Sequence, residues 1–169
     1  MDDPSDRLIN TFGALSQAVS DRVRRAIAEA FNAGGQTAAA LIAIGHEPGM
    51  SIGQIRQILQ LSHAGAVRVV ERLGDQRLVA KSQSPSDRRV VHVTLTLRGR
   101  TERTKLLGLR NAALAELLGK VSAEDRVALE RAADSILSSL RSDPQGSLAT
   151  CRLCDRGRCN DCPVDGHRP

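Results

Sequence analysis

Four cysteines stand within twelve residues near one end of the chain, as Cys151-Arg-Leu-Cys154 and Cys159-Asn-Asp-Cys162 with Asp-Arg-Gly-Arg between them. Two C-x2-C pairs are the usual knuckle spacing for tetrahedral Zn²⁺, because each pair turns its backbone so that both sulfurs meet one ion at about 2.3 Å. Cys151, Cys154, Cys159 and Cys162 are therefore candidate zinc ligands, with Gly157 easing the reversal between the pairs. A tail this polar folds only around a metal, so binding energy and folding energy become one quantity. Thiols outside any metal site, or reversible disulfides, are one alternative. An iron–sulfur cluster is another, suggested by Cys162-Pro163 but not by the spacings of ferredoxins. Arg152, Arg156 and Arg158 are expected to favour thiolates, so oxidation or zinc loss could unfold the tail and act through the helix before it. His46, His92 and His167 read as surface or packing residues.

A second chemistry lies in the middle of the chain, where residues 51–105 hold 11 Lys and Arg against 4 Asp and Glu, and the remainder 13 against 15. Such a segment suits a polyanion. A helix opening at Ser62 exposes the residues that reach base edges when a helix enters the major groove of B-form DNA. These are Ser62, His63, Ala64, Gly65, Val67 and Arg68, with Arg72 one turn further on. Arg68 is the candidate for a bidentate contact with guanine, His63 can donate or accept, and Ala64 and Gly65 permit close approach. Asp87, Arg88 and Arg89 occupy a basic hairpin suited to the minor groove or the phosphates. Asp87 is placed to orient one of the two arginines by a charge-assisted hydrogen bond.

The elements that carry these residues follow from periodicity and caps. Leu8, Phe12, Leu15, Val19, Val23 and Ile27 recur every three or four positions and predict an amphipathic helix over 5–31. Thr37 to His46 reads as a small, apolar and therefore buried helix, capped by Thr37 and stopped by Pro48-Gly49. Ser51 and Ser62 cap two helices with two residues between them, a helix-turn-helix spacing. Leu78 to Ser84 and Arg89 to Leu95 predict a hairpin with a Ser-Pro-Ser-Asp turn. Thr96 caps a helix ending at Gly119, and Ser122 one ending near Arg141. The expected class is mainly α with a small β-hairpin: a winged helix-turn-helix flanked by long dimerisation helices. The DNA-binding head takes 37–96 and the dimerisation helices 5–31 and 97–141 of a domain spanning 1–142; a linker follows over 143–150 and a Cys-rich tail over 151–169.

Composition narrows the function. The 169 residues include two Phe and no Tyr or Trp, so the core must be aliphatic. No apolar run is long enough for a membrane span, and Met-Asp-Asp-Pro-Ser-Asp is unlike a secretory signal, which points to the cytoplasm. No Ser-His-Asp arrangement, phosphate loop or paired carboxylates suggests an enzyme. An RNA-binding module would want aromatic residues on the basic hairpin. A metal or redox protein centred on the four cysteines is the alternative to a regulator.

Residues 5–141 resemble the multiple antibiotic resistance regulator (MarR) family of bacterial winged-helix transcription factors. The likeness is sharpest in Leu61-Ser62, Arg68-Val69-Val70-Glu71-Arg72-Leu73, Leu78-Val79, Asp87-Arg88-Arg89 and Leu95-Thr96 with Gly99. It implies that residues 62–68 read double-stranded DNA and that Asp87 and Arg89 act in the wing. It further implies that the terminal helices form a homodimer, and that a small-molecule effector or an oxidant releases a repressor. A ligand pocket is implied between the dimer helices and the head. Arg56 stands where the family has Ala, and Gln60 and Arg77 stand in place of turn glycines, with Gly74 near enough to relieve the second turn.

Overall fold

The computed structural model describes residues 3–31, 34–84, 87, 90–140, 144–159 and 161–164. Helix α1 (Asp6–Ala30) starts at Ser5, whose hydroxyl accepts from Leu8 N at 3.2 Å. Only its second half reaches the core, through Val23 and Ile27. Helix α2 (Gly35–Ile44) is buried from Thr37 to Ile44 and forms the centre of the molecule. Thr37 was expected to cap it, but the helix begins two residues earlier. Gly34, at φ +84°, makes the entry turn and leaves Thr37 1% exposed inside.

Strand β1 (Met50–Ser51) precedes helix α3 (Ile52–Leu59), for which Ser51 builds a reciprocal cap with Gln54. Helix α4 (His63–Asp75) follows, capped by Ser62 Oγ accepting from Gly65 N at 3.1 Å. Strands β2 (Val79–Gln83) and β3 (Val91–Leu95) pair antiparallel from Val79↔Leu95 to Gln83↔Val91. β1 adds to the other edge of β3 through Met50↔Val93, giving the order β1-β3-β2. A two-residue strand has no alternation to detect, so only the hairpin was legible beforehand.

Gln60 and Arg77 both adopt the left-handed conformation, at φ 54° and 57°. The helix ends require it. Leu61 N donates to Arg56 O at 3.0 Å and Leu78 N to Leu73 O at 2.9 Å, both bonds that wrap a left-handed residue around a helix C-terminus. Gly74 relieves nothing, being inside α4.

Helix α5 (Leu97–Leu118) leaves the sheet under the cap of Thr96, whose hydroxyl accepts from Gly99 N at 3.0 Å and donates to Arg77 O at 2.8 Å. A Cβ on Gly99 would overlap the Leu78 carbonyl oxygen. Helix α6 (Ala123–Ser139), capped by Ser122, buries no residue. α1 and α5 pack together, joined at their surface by an Arg22–Glu116 ion pair, which at that exposure contributes little. No described helix is long and apolar enough to cross a membrane.

The expected linker over 143–150 is instead largely helix α7 (Pro144–Thr150), packed against α3. Seven residues cannot hold a helix alone. Leu148, 4% exposed in the main core, supplies the anchor, worth about 2 kcal/mol for a fully buried leucine. Pro144 as the first helical residue sacrifices no hydrogen bond.

Gly99→Ala should destabilise the protein by about 3 kcal/mol because backbone must move to admit the methyl. Gln60→Gly and Arg77→Gly should each stabilise it by about 1 kcal/mol. Denaturant unfolding at fixed protomer concentration measures all three.

Candidate nucleic-acid interface and cysteine tail

α3 and α4 form the helix-turn-helix, and the buried face of α4 (Ala66, Val69, Val70, Leu73) fixes which side chains point outward. Ser62, His63, Ala64, Arg68 and Arg72 are exposed, while Gly65 and Val67 are half-buried at the rim of the turn. The structure therefore brings the predicted reading residues onto one outer face. Ser62 serves the helix as well as the face, since its hydroxyl is the cap. Arg68 makes no hydrogen bond or ion pair among the described residues. Asp87 is exposed, and its carbonyl accepts from Val90 N at 2.9 Å in the hairpin end. Arg88 and Arg89 lie outside the described residues. His92, read as a surface or packing residue, bonds through Nδ1 to the Gly49 carbonyl at 2.6 Å and so ties the sheet to the chain entering β1.

His46 does more than the sequence suggested. Its Nδ1 lies 3.1 Å from an Arg103 terminal nitrogen, and Arg103 Nε donates to Ile42 O at 3.2 Å, closing the end of α2. Burial, then the Arg103 and Arg156 cations, push the His46 pKa down to about 4, against the opposing pull of the Cys154 backbone and Asp155. The ring is neutral at neutral pH. Gly45 makes room for this contact, because a Cβ there would run into the Arg103 side chain. Nothing in the spacing of His46 and Arg103, 57 positions apart, signalled the pairing.

The tail docks against the body rather than standing apart. Asn111 Nδ2 on α5 donates to Asp155 Oδ2 at 3.2 Å, and Ser147 Oγ donates to Val164 O at 3.4 Å. Cys151 is buried, Cys154 and Cys162 half-buried and Cys159 exposed; no disulfide joins them. Cys151 has Cys154 and Cys162 as neighbours, and Cys159 has Cys162. Among the described residues, no three or more of His, Cys, Asp and Glu are disposed as a ready metal cage.

The arginines were expected to favour thiolates, but the balance runs the other way. The Cys154 hydrogen bond, burial and the neighbouring sulfurs push the Cys151 thiol up, and burial followed by Cys162 does the same to Cys159. Arg158 is engaged with Asp155 at 3.4 Å, and Arg152 donates to Ala149 O at 2.5 Å.

A cavity of about 580 Å³ opens between α1, α2, α5 and the tail. Val23, Ile27 and Leu114 give it an apolar wall, and Arg24, Arg110 and Arg152 line it too. A separate apolar groove of about 940 Å³ runs between the first half of α1 and α6, past Leu8, Phe12, Leu15, Leu129, Ile136 and Leu137.

Two helices in tandem with a two-stranded wing behind them define a winged helix-turn-helix protein. Residues 34–90, the stretch that carries the helix-turn-helix and the first strand of the wing, match the MarR family model. No curated protein matches the sequence. Among solved structures, wild-type MarR from Escherichia coli is similar at 20% identity, covering 81% of this chain and 98% of its own, with a TM-score of 0.69. Streptococcus pneumoniae FabT, solved in complex with DNA, is 17% identical over 78% of this chain and 96% of its own, at 0.64. A Mycobacterium tuberculosis MarR family protein in complex with salicylic acid is 23% identical over 80% and 97%, at 0.59. The chain has the fold of these proteins.

Ser62→Ala should cost about 1 kcal/mol of stability by removing the α4 cap. Arg68→Ala should leave stability within about 0.5 kcal/mol of the parent. Thermal unfolding separates the residue that builds the helix from the one held out for a partner.

Proposed function

We propose that this chain is a homodimeric, sequence-specific transcriptional regulator that reads double-stranded DNA, acting as a repressor rather than an activator. The observation that carries this reading is the outer face of α4. It offers Ser62, His63, Ala64 and Arg68 to solvent next to the β2–β3 hairpin, on a helix otherwise committed to the core. That is the disposition in which a recognition helix enters the major groove. FabT, with the same fold, was solved on DNA.

A second copy of the chain is the natural cover for the groove between α1 and α6. Leu8, Phe12, Val127 and Leu140 are each at least half exposed there or beside it, at 57, 50, 61 and 55%. Apolar helix faces left uncovered within one chain find their hydrophobic contact in another. Isologous pairing would set two copies of α4 about one helical turn apart, at 34–36 Å on a palindromic site. The cavity beside the tail, apolar with Arg24, Arg110 and Arg152 in its lining, suits a small organic anion as effector. The relative solved with salicylic acid supports that class.

Selection of bound sequences from a random duplex library should recover a palindrome. Arg68→Ala should then relax preference at one base position in each half-site, with a loss of about 1–3 kcal/mol. A parent that enriches no sequence, or an Arg68→Ala variant as tight and selective as the parent, contradicts the assignment. Phe12→Asp should shift the protein from dimer to monomer in sedimentation equilibrium.

A further inference from the structure

We propose that Cys151, Cys154, Cys159 and Cys162 hold one zinc ion, and that the zinc-folded tail is a clasp fastening α5 to the reading head. The backbone already turns at the first pair. Cys151 closes α7 with its N–H on Ser147 O at 3.0 Å, and Cys154 N turns back to Cys151 O at 2.9 Å. The second pair turns through Asp161, left-handed at φ 51°. Cys162 is a near neighbour of both Cys151 and Cys159, which links the two pairs. Four sulfurs about 2.3 Å from one ion lie about 3.8 Å apart, so the four side chains, which do not yet form a cage, must close in as the ion enters. Zinc entering such a set displaces four protons to solvent and leaves a centre of net charge −2. Arg110 near Cys159 and Arg156 near His46 supply compensating charge.

The rest of the tail cannot hold its shape without a crosslink. Among the described residues from 151 to 164, only Cys151 and Val164 are buried. Yet this short segment reaches two other parts of the molecule at once. Asp155 binds Asn111 on α5 at 3.2 Å, and the Cys154 backbone meets His46 at the end of α2. α7, leading into it, puts Leu148 in the core against α3. Coupling therefore runs directly to α5 and the head, not through α6 as chain order alone suggested. Thr150, Arg152, Leu153 and Cys154 also line one side of the 580 Å³ cavity. With the clasp closed, the head is held at one angle to the dimer helices; with zinc gone, ordering two heads on one site costs more. That last consequence rests on the DNA-binding reading above.

The test uses full-length protein purified in reductant without added metal. One zinc per chain by atomic emission, in a colourless protein, is expected. Cys159→Ser with Cys162→Ser should lose the zinc while keeping its helical circular dichroism. It should also exchange amide hydrogens faster over 147–164 and 103–111 and bind the selected duplex about tenfold more weakly, within the usual range of coupling between sites. Asn111→Ala with Asp155→Ala should keep the zinc and yet show the faster exchange at 103–111 and the weaker binding. A parent without zinc, one carrying a disulfide or an iron–sulfur chromophore, or a double-serine variant that retains zinc overturns the site. Zinc present, with exchange and affinity unchanged in both variants, overturns the clasp. If the parent binds no duplex, the DNA-binding reading fails, while zinc content and exchange still decide the site and the clasp.

Discussion

The joint between the wing and α5 is the constraint on which the arrangement depends. Leu78 O accepts from Thr96 N at 3.0 Å and lies against Gly99, while Thr96 Oγ1 binds Arg77 O and caps α5. One carbonyl thus fixes the start of β2, the end of β3 and the first turn of α5 together. A few residues further along α5, Arg103 reaches over Gly45 to the end of α2. The close approach of backbone to backbone at Gly99 sets where the head joins α5. The Leu-Thr-x-x-Gly run in the sequence is the written form of that contact.

Around this joint the burial is uneven in a meaningful way. α2 is enclosed on all sides by aliphatic side chains, and α3, α4 and the sheet pack around it. α6 and the first half of α1 bury none of their large apolar residues. A chain of this size gains stability by covering such surface, and what its own core leaves open is the surface most suited to a twin. Two left-handed non-glycine residues, Gln60 and Arg77, sit just past the C-terminal ends of α3 and α4. Each stores about 1 kcal/mol or more of local strain, tolerated because the core over-determines both turns.

Most of the head was legible because its signals are local. Ser51, Ser62, Thr96 and Ser122 each announce a helix by a cap three residues before its partner amide, and Val91, Val93 and Leu95 alternate as a strand must. The outward residues of α4 followed from its apolar stripe. What stayed hidden was long-range. Thr37 looked like a cap because its type favours that role, yet Gly34 could take the positive φ and Thr37 could be buried. Residues 144–150 looked like a linker because Pro, Gln, Gly and Ser dominate them, and a single leucine finding a site on α3 decided otherwise. The docking of Asp155 on Asn111 and of His46 on Arg103 has no periodic signature. Arg88 and Arg89, legible from the wing motif, fall outside the described residues.

The central claim is that two copies of α4 are held at a fixed separation by paired terminal helices. Its most direct measure is affinity for a selected palindrome against the same site with half a helical turn inserted at its centre. A rigidly spaced pair predicts one dimer per duplex, steep weakening with salt, and collapse of the affinity on insertion to that of an isolated half-site. Equal affinity for the two duplexes, or one protomer per duplex, would contradict it.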